Sequence, residues 1–370
     1  MATRTQRQQR TVTLKDVADR CGLSIYPVSR ALNGLPGMSA ATAARVRAMA
    51  ARMGYDPQCH HAARRLALRR HGRTSPNHVV GLLLPSHLGR VGFFFQLFRG
   101  VVEYLSARHY GVLVTYTYDV ERHTGLAFEL PPAYSRGEVD GVIMHGGLSP
   151  GRLARLRQTA FADRPVVTMV NPQPGCAAAL RDEAGGSYLA ARHLLALGHR
   201  QVLYMHYGAR AYPMTAREAG YRRACRESGV EFRRCFHAVP VAGAQEGDPL
   251  GRALEAALRR YPAATALLAL HDPAAISALR YLQQTGRRVP EDLSIVGFDD
   301  TEACPGPGGE NLLASVHVDL VELGRHAAEL LLQRIAGEAP ASRAWVAPAT
   351  LAVRGTIGPP RIAIRGGAGE

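Results

Sequence analysis

From residue 78 onward the chain alternates short apolar runs with amphipathic stretches, and no other feature limits the possible folds so strongly. The runs at 78–84, 111–116, 139–144, 165–170, 201–206, 265–270 and 293–298 have strand length, and helical periodicity fills 95–108, 186–197 and 274–284 between them. Such alternation predicts parallel sheets covered by helices on both faces, with ligands at the carboxyl ends of the strands. The 280 residues from 78 to 357 suffice for two doubly wound subdomains with a cleft between them.

Residues 13–33 have a different texture. Thr13 followed three residues later by Asp16 has capping-box spacing, so a helix starts there. Val17, Ala18 and Cys21 share one face, and Gly22 stands where a left-handed residue ends a helix. Ser24 then opens a second helix with Val28, Ala31 and Leu32 inward; Pro27 falls in its first turn, where a missing N–H costs little. Two short helices joined by so tight a turn form a helix-turn-helix, whose second helix fits a major groove. Ser39 caps a third helix with Val46, Met49, Ala50 and Met53 on one side, and Gly54 ends it.

The charge agrees with a nucleic-acid partner. The whole chain carries +15, and residues 1–78 hold 14 Lys+Arg against 3 Asp+Glu, leaving +4 for the rest. A basic block of this kind attracts a polyanion, with affinity that falls as salt rises. Six cysteines, at 21, 59, 176, 225, 235 and 304, form no metal-ligand spacing, and reduced thiols in a cytoplasmic protein are expected. No apolar run reaches membrane-spanning length, so no membrane partner is expected.

The ordered pieces Thr-Leu-Lys-Asp-Val-Ala from Thr13, Leu-Ser-x-x-x-Val-Ser-Arg-Ala-Leu-Asn-Gly from Leu23, Pro-Gly-x-Ser from Pro36, and Gly-Tyr-x-Pro from Gly54 are similar to the headpiece of the lactose-repressor (LacI/GalR) family of bacterial transcriptional regulators. The resemblance implies that Ile25, Tyr26 and Arg30 approach base edges, and that Thr13, Ser29 and Asn33 lie nearer the DNA backbone. Pro27 stands where the family often has Thr. In the family a hinge helix then wedges a Leu into the minor groove. With His60-His61 taken as a two-residue insertion, Ala63-Arg64-x-Leu66 is that motif and Leu66 the wedge; a double-His metal site is disfavoured because adjacent helical residues point apart.

Further pieces resemble the family's effector domain, which is similar to periplasmic sugar-binding proteins: Phe93-Phe94 before Arg99-Gly100, Val139-Asp140-Gly141, Asp182 before Gly185, Leu197-Gly198-His199-Arg200, Arg217-x-x-Gly220-Tyr221, the run from Val289 to Asp300, Glu322-Leu323-Gly324 and Val353-Arg354-Gly355-Thr356. The implied effector-binding residues are Phe94, Arg217 and Asp299, joined by His271, which replaces the family's common Asn. An Arg, a carboxylate and an aromatic face suit a sugar or related metabolite. The implied organisation is an all-α helix-turn-helix headpiece at 11–57, a hinge helix and linker at 58–77, a periplasmic-binding-protein-like α/β effector domain of two parallel-sheet subdomains at 78–357, and a flexible tail at 358–370. Function then follows as repression by a homodimer on pseudo-palindromic operator DNA, controlled by a small-molecule effector, with no cofactor or metal. The Gly/Pro-rich stretch 357–370 lacks heptads, so no coiled-coil tetramer is expected.

An enzymatic reading has one foothold, the G-x-S-x-G match at 147–151. The residue after such a nucleophile must give its N–H to an oxyanion hole, and Pro150 has none. Ser149 as N-cap with Pro150 at the first helical position accounts for the same residues. Beside the regulator, two alternatives stay open: a ligand-binding module with a degenerate headpiece, and an enzyme on the same scaffold.

Overall fold

The computed structural model describes residues 12–32, 38–55, 76–85, 91–117, 130–146, 150–161, 164–206, 212–232, 236–240 and 249–361. The chain divides into two compact units, Met1–Asn77 and His78–Glu370.

The first unit holds α1 (Leu14–Cys21), α2 (Ile25–Leu32) and α3 (Ala40–Met53). Each boundary has a local cause. Thr13 N–H donates to Asp16 Oδ2 at 2.7 Å while Asp16 N–H donates to Thr13 Oγ1 at 3.2 Å, a reciprocal cap on the first turn. Gly22, at φ 65°, returns its N–H to the Ala18 and Asp19 carbonyls and stops α1 without a Cβ clash. Ser39 caps α3 through Thr42 N–H, and Gly54 ends it at φ 69°. Val17, Ala18, Val28, Ala31, Val46, Ala50 and Tyr55 close one small core.

The second unit contains two six-stranded sheets. The first is built from β1 (Val79–Pro85), β2 (Gly111–Thr117), β3 (Gly141–His145), β4 (Val166–Met169), β5 (Ala177–Arg181) and β11 (Ala344–Ala347), in the order β11-β5-β4-β3-β1-β2. The second is built from β6 (Val202–His206), β7 (Phe236–Pro240), β8 (Ala266–Leu268), β9 (Ser294–Asp299), β10 (Ala314–Val318) and β12 (Ala349–Ala352), in the order β12-β10-β9-β8-β6-β7. Every pairing in the first sheet is parallel. In the second, β12 runs antiparallel to β10, which departs from the all-parallel expectation. A chain returning through a short connection from β11 must enter the second sheet at its edge, and an antiparallel edge strand does so without another crossover helix.

Helices cover both sheets. Those that position the site are α4 (Val91–Ser106), α6 (Pro150–Leu156, which follows the short α5 at Pro132–Ser135), α7 (Glu183–Ala196), α8 (Tyr212–Glu227), α10 (Asp272–Gln284, which follows α9 at Pro249–Arg260) and α11 (Leu320–Ile335). The chain passes between the sheets three times, after β5, after β10 and after β11. The first two passages end in a capped helix: Asp182 accepts from Gly185 N–H at 2.7 Å, and Asp319 from Glu322 N–H at 2.9 Å. α4 and α11 pack so closely that a Cβ on Gly100 would lie 1.9 Å from the Val321 carbonyl oxygen, and one on Gly324 would lie 2.3 Å from the Leu97 oxygen. The glycines of two sequence motifs are therefore the sites of backbone contact between helices.

Residues 358–361, expected to open a flexible tail, are instead held to the second sheet's neighbourhood. Ser294 Oγ donates to the Gly358 carbonyl at 3.0 Å, and His199 Nε2 lies 2.9 Å from the same oxygen. Burial holds the His199 pKa below its ordinary value, so the neutral ring donates from Nε2 and accepts the Thr265 hydroxyl, 2.8 Å away, at Nδ1. Arg361 pairs with Asp292 at 3.0 Å. These bonds make residues 358–361 part of the second subdomain, and residues 362–370 lie outside the described residues.

Candidate functional site

Two surfaces combine functional side chains. On the headpiece, α2 starts with Ile25 and Tyr26, which are 48% and 68% exposed although both are large and apolar or aromatic. Val28 and Ala31 on the opposite side are buried. One helix turn after Tyr26, Arg30 Nη1 donates to the Tyr26 hydroxyl at 2.9 Å, with its guanidinium carbon 5.5 Å from the ring centroid. The three residues thus form one amphipathic patch on an exposed helix face, with the Arg fork oriented by the Tyr. Thr13 spends its hydroxyl on the α1 cap, and Ser29 is half-buried. Asn33 and Leu66 lie outside the described residues, as do His60, His61 and Ser149.

The second surface lies at the carboxyl ends of the strands. Arg181 is the last residue of β5 and Asp299 the last of β9, so each projects from the end of a different sheet. They meet: Arg181 Nη1 donates to Asp299 Oδ1, while its Nη2 donates to Glu183 at the start of α7. Glu183 Oε2 also accepts from Arg217 Nε at 2.7 Å, and Arg217 Nη1 reaches the Leu270 carbonyl at 2.7 Å. The result is a quartet in the order Arg217, Glu183, Arg181, Asp299, with each side chain no more than 3% exposed. Aromatic faces support it. The Arg217 guanidinium carbon sits 3.5 Å from the Phe298 ring centroid, and that of Arg181 lies 5.4 Å from Phe93 and 5.7 Å from Phe298. Asp299, at φ 97°, and Val170 at the end of β4, at φ 73°, hold backbone conformations that L-residues rarely adopt, as is common where a site dictates side-chain direction.

Burial alone would oppose ionisation of Glu183, but the Arg181 and Arg217 guanidiniums outweigh it and hold the carboxyl below its ordinary value. Nearby Tyr204 is pushed up to about 12 by burial and donates to Met214 Sδ at 3.2 Å.

Asp272, at the start of α10, behaves oppositely. Burial raises its carboxyl to about 6, although the Ser315 hydroxyl and the Thr301 and Glu302 N–H groups favour the charged form. A pKa above the unfolded value of 3.8 means that the folded chain binds the extra proton. The contribution of Asp272 to stability is therefore greatest at low pH and is lost as pH rises through about 6. From pH 4 to 7.5 this loss amounts to about 2 kcal/mol. Urea unfolding of the wild type and of Asp272→Asn at both pH values checks it: the difference between the two proteins should shrink or reverse on going from pH 4 to 7.5.

The structure joins Arg217 and Asp299, expected to share a site, through two residues that sequence reasoning passed over, Arg181 and Glu183. It places Phe94 differently from expectation. Phe94 is buried and packs edge-on against Phe93 and His145 at centroid distances of 5.4 and 4.9 Å, whereas Phe93 is the ring beside the Arg181 guanidinium. His271 is the N-cap of α10: its Nδ1 accepts from Ala274 N–H at 3.1 Å. Pro150 stands at the first position of α6, where it has no N–H to offer an oxyanion. Among the described residues no helix is long and apolar enough to cross a membrane.

Comparison with known proteins matches two stretches of the chain. Residues 13–58 match the family model described as bacterial regulatory proteins, lacI family, and residues 191–357 match a periplasmic binding protein-like domain. The chain is 29% identical over 341 residues to the HTH-type transcriptional regulator CelR of Thermobifida fusca, covering 90% of this chain and 94% of that protein. It is 27% identical to the HTH-type transcriptional regulator DegA of Bacillus subtilis, over 94% of this chain and 98% of that one. Among solved structures, a complex of the regulator CelR with cellobiose superposes with a TM-score of 0.63 at 26% identity, covering 94% of this chain and all of that one. The lac repressor dimer bound to operator and the anti-inducer ONPF superposes with a TM-score of 0.67 at 22% identity, over 94% and 99%, a likeness of fold. By its capped helix-turn-helix, its two-sheet second unit and these matches, the chain joins a lacI-type helix-turn-helix domain to a periplasmic binding protein-like domain, the arrangement of a DNA-binding regulator of transcription.

Proposed function

We propose that this chain is a cytoplasmic repressor that binds a pseudo-palindromic operator as a homodimer and releases or tightens it in response to a small metabolite held between the two sheets. The observation that carries the DNA half is the exposure of Ile25 and Tyr26 at the N-terminal end of α2, with Arg30 oriented beside them. Residues at that end of a recognition helix meet base edges in the major groove, and two headpieces related by a twofold axis require two half-sites. Residues 11–57 serve as the headpiece, 58–77 as the hinge with Leu66 as its wedge, and the unit from 78 as effector and dimerisation domain. The effector half rests on Arg217 and Asp299 converging at the strand ends, with His271 at the start of α10, and on the relative CelR having been solved with cellobiose.

A gel shift with promoter DNA of the neighbouring genes tests the DNA half. A sequence-preferring complex is expected, with affinity falling roughly 10³-fold or more between 50 and 200 mM salt if six or more phosphates are contacted. Equal affinity for promoter and random DNA would overturn the reading in favour of a ligand-binding module with a degenerate headpiece.

A further inference from the structure

The buried quartet draws on the two subdomains unequally. Glu183 opens α7 and Arg217 lies on α8, two helices packed on each other beside the second sheet, and Asp299 ends β9 of that sheet. Arg181 alone comes from the first sheet. The three groups on the second side carry one net negative charge between them, and Arg181 makes the set neutral. Each of its terminal nitrogens donates to a carboxylate of the second side, Nη1 to Asp299 and Nη2 to Glu183. The Glu183 bond spans only two residues of chain, so it survives a separation of the sheets; the Asp299 bond spans 118 and does not. The guanidinium also lies near one ring from each side, Phe93 on α4 and Phe298 on β9.

We infer that Arg181 is a latch: a side chain of the first sheet that bridges the two subdomains from within the chain, so that their closed arrangement does not depend on a small molecule. The inference rests on the cleft between the sheets being the effector site. Arg217 and Asp299, the residues expected to hold an effector there, are engaged by the chain's own groups and are only 3% and 1% exposed, so a ligand reaches them only when the strand ends part. Parting them breaks a buried charge pair, but it also admits water to the Asp299 carboxylate, and hydration offsets much of the lost attraction. The latch is therefore reversible. An effector that uses Asp299 competes with the guanidinium for it, and its apparent affinity is its intrinsic affinity reduced by the fraction of chains with the latch open.

The test uses the full chain freed of co-purified small molecules by dialysis in dilute urea and returned to buffer, with native mass spectrometry to establish that none is left. Small-angle scattering and hydrogen exchange should find it as compact, and as protected across 177–183 and 294–302, as the chain before dialysis. Arg181→Met combined with Asp299→Asn removes the bond between the sheets and leaves Arg217 and Glu183 as a neutral pair. Its radius of gyration should rise, and N–H exchange in those two segments should speed up roughly tenfold or more. Arg181→Lys, which can still donate to Asp299 through one nitrogen, should stay close to the wild type. Circular dichroism and the urea midpoint establish that both variants fold. In the gel shift with promoter DNA, the affinity of the opened double variant should differ from that of the dialysed wild type by roughly fivefold or more. A dialysed wild type as open as the double variant, or a double variant as closed as the wild type, overturns the latch and leaves the effector site standing. An opened double variant with unchanged promoter affinity upholds the latch and overturns the control of DNA binding from the cleft.

Discussion

Glu183→Gln is expected to destabilise the 78–370 unit by about 3–5 kcal/mol, the cost of leaving a buried charge without its partner. Glu183 is fully buried and is the only member of the quartet bonded to both guanidiniums. Gln has the same shape but no charge, so two buried arginines would share Asp299 alone, and the amide nitrogen would be a donor facing donors. Surface ion pairs such as Arg222–Glu218, with side chains 59% and 40% exposed, offer the contrast: Glu218→Gln should cost under about 1 kcal/mol. Urea unfolding monitored by tyrosine and tryptophan fluorescence measures both, and for a unit of this size Glu183→Gln should lower Tm by on the order of 10 °C. A double-mutant cycle with Arg217→Gln should show a coupling of 1 kcal/mol or more. If Glu183→Gln behaved like Glu218→Gln, the quartet would not be a stabilising element of the fold.

The contrast between what was and was not legible follows from the range over which each signal acts. Capping is local chemistry, so Thr13, Asp16, Gly22, Ser39 and Gly54 mark the headpiece helices within a residue of where they lie. The runs at 139–144 and 293–298 could be recognised as strands because they are rich in Val, Ile and Met or Phe. β5, by contrast, reads Ala-Ala-Ala-Leu-Arg, a sequence of high helix propensity that is extended here because sheet neighbours lie on both sides of it. Missing β5 hid Arg181, whose partner Asp299 is 118 residues away, a separation that no periodicity reports. A closer signal was present: an Arg-Asp-Glu triplet in which the Asp caps a helix leaves its two neighbours at a strand end and a helix start. Phe94 was preferred to Phe93 on resemblance, and adjacent helical residues differ by a rotation of about 100°, so only the packing of α4 settles which ring turns toward the charges. His271 replaced an Asn, and both residue types accept an N–H at a helix start.

The second large effect is expected at the reading surface. Arg30→Ala should reduce operator affinity by about 1–3 kcal/mol, roughly 5- to 150-fold, and flatten the preference at one base pair per half-site. Its fork is held by the Tyr26 hydroxyl at 2.9 Å, one turn earlier on the same helix, so the two side chains act as a unit. Tyr26→Phe keeps the ring and removes that bond; the guanidinium remains but its direction is less defined, and a several-fold loss is expected. Tyr26→Ala removes both the ring and the bond, and should approach the effect of Arg30→Ala without adding to it in the double variant. Neither residue belongs to the buried core formed by Val17, Val28, Val46 and Tyr55, so circular dichroism should report unchanged helix content. Titrations with operator and with random duplex at two salt concentrations separate base reading from phosphate attraction. A base-reading Arg30 loses operator affinity far more than random-duplex affinity. Equal losses on both duplexes, with the salt dependence reduced by about one unit, would instead make Arg30 a phosphate contact and move recognition to Ile25 and Tyr26.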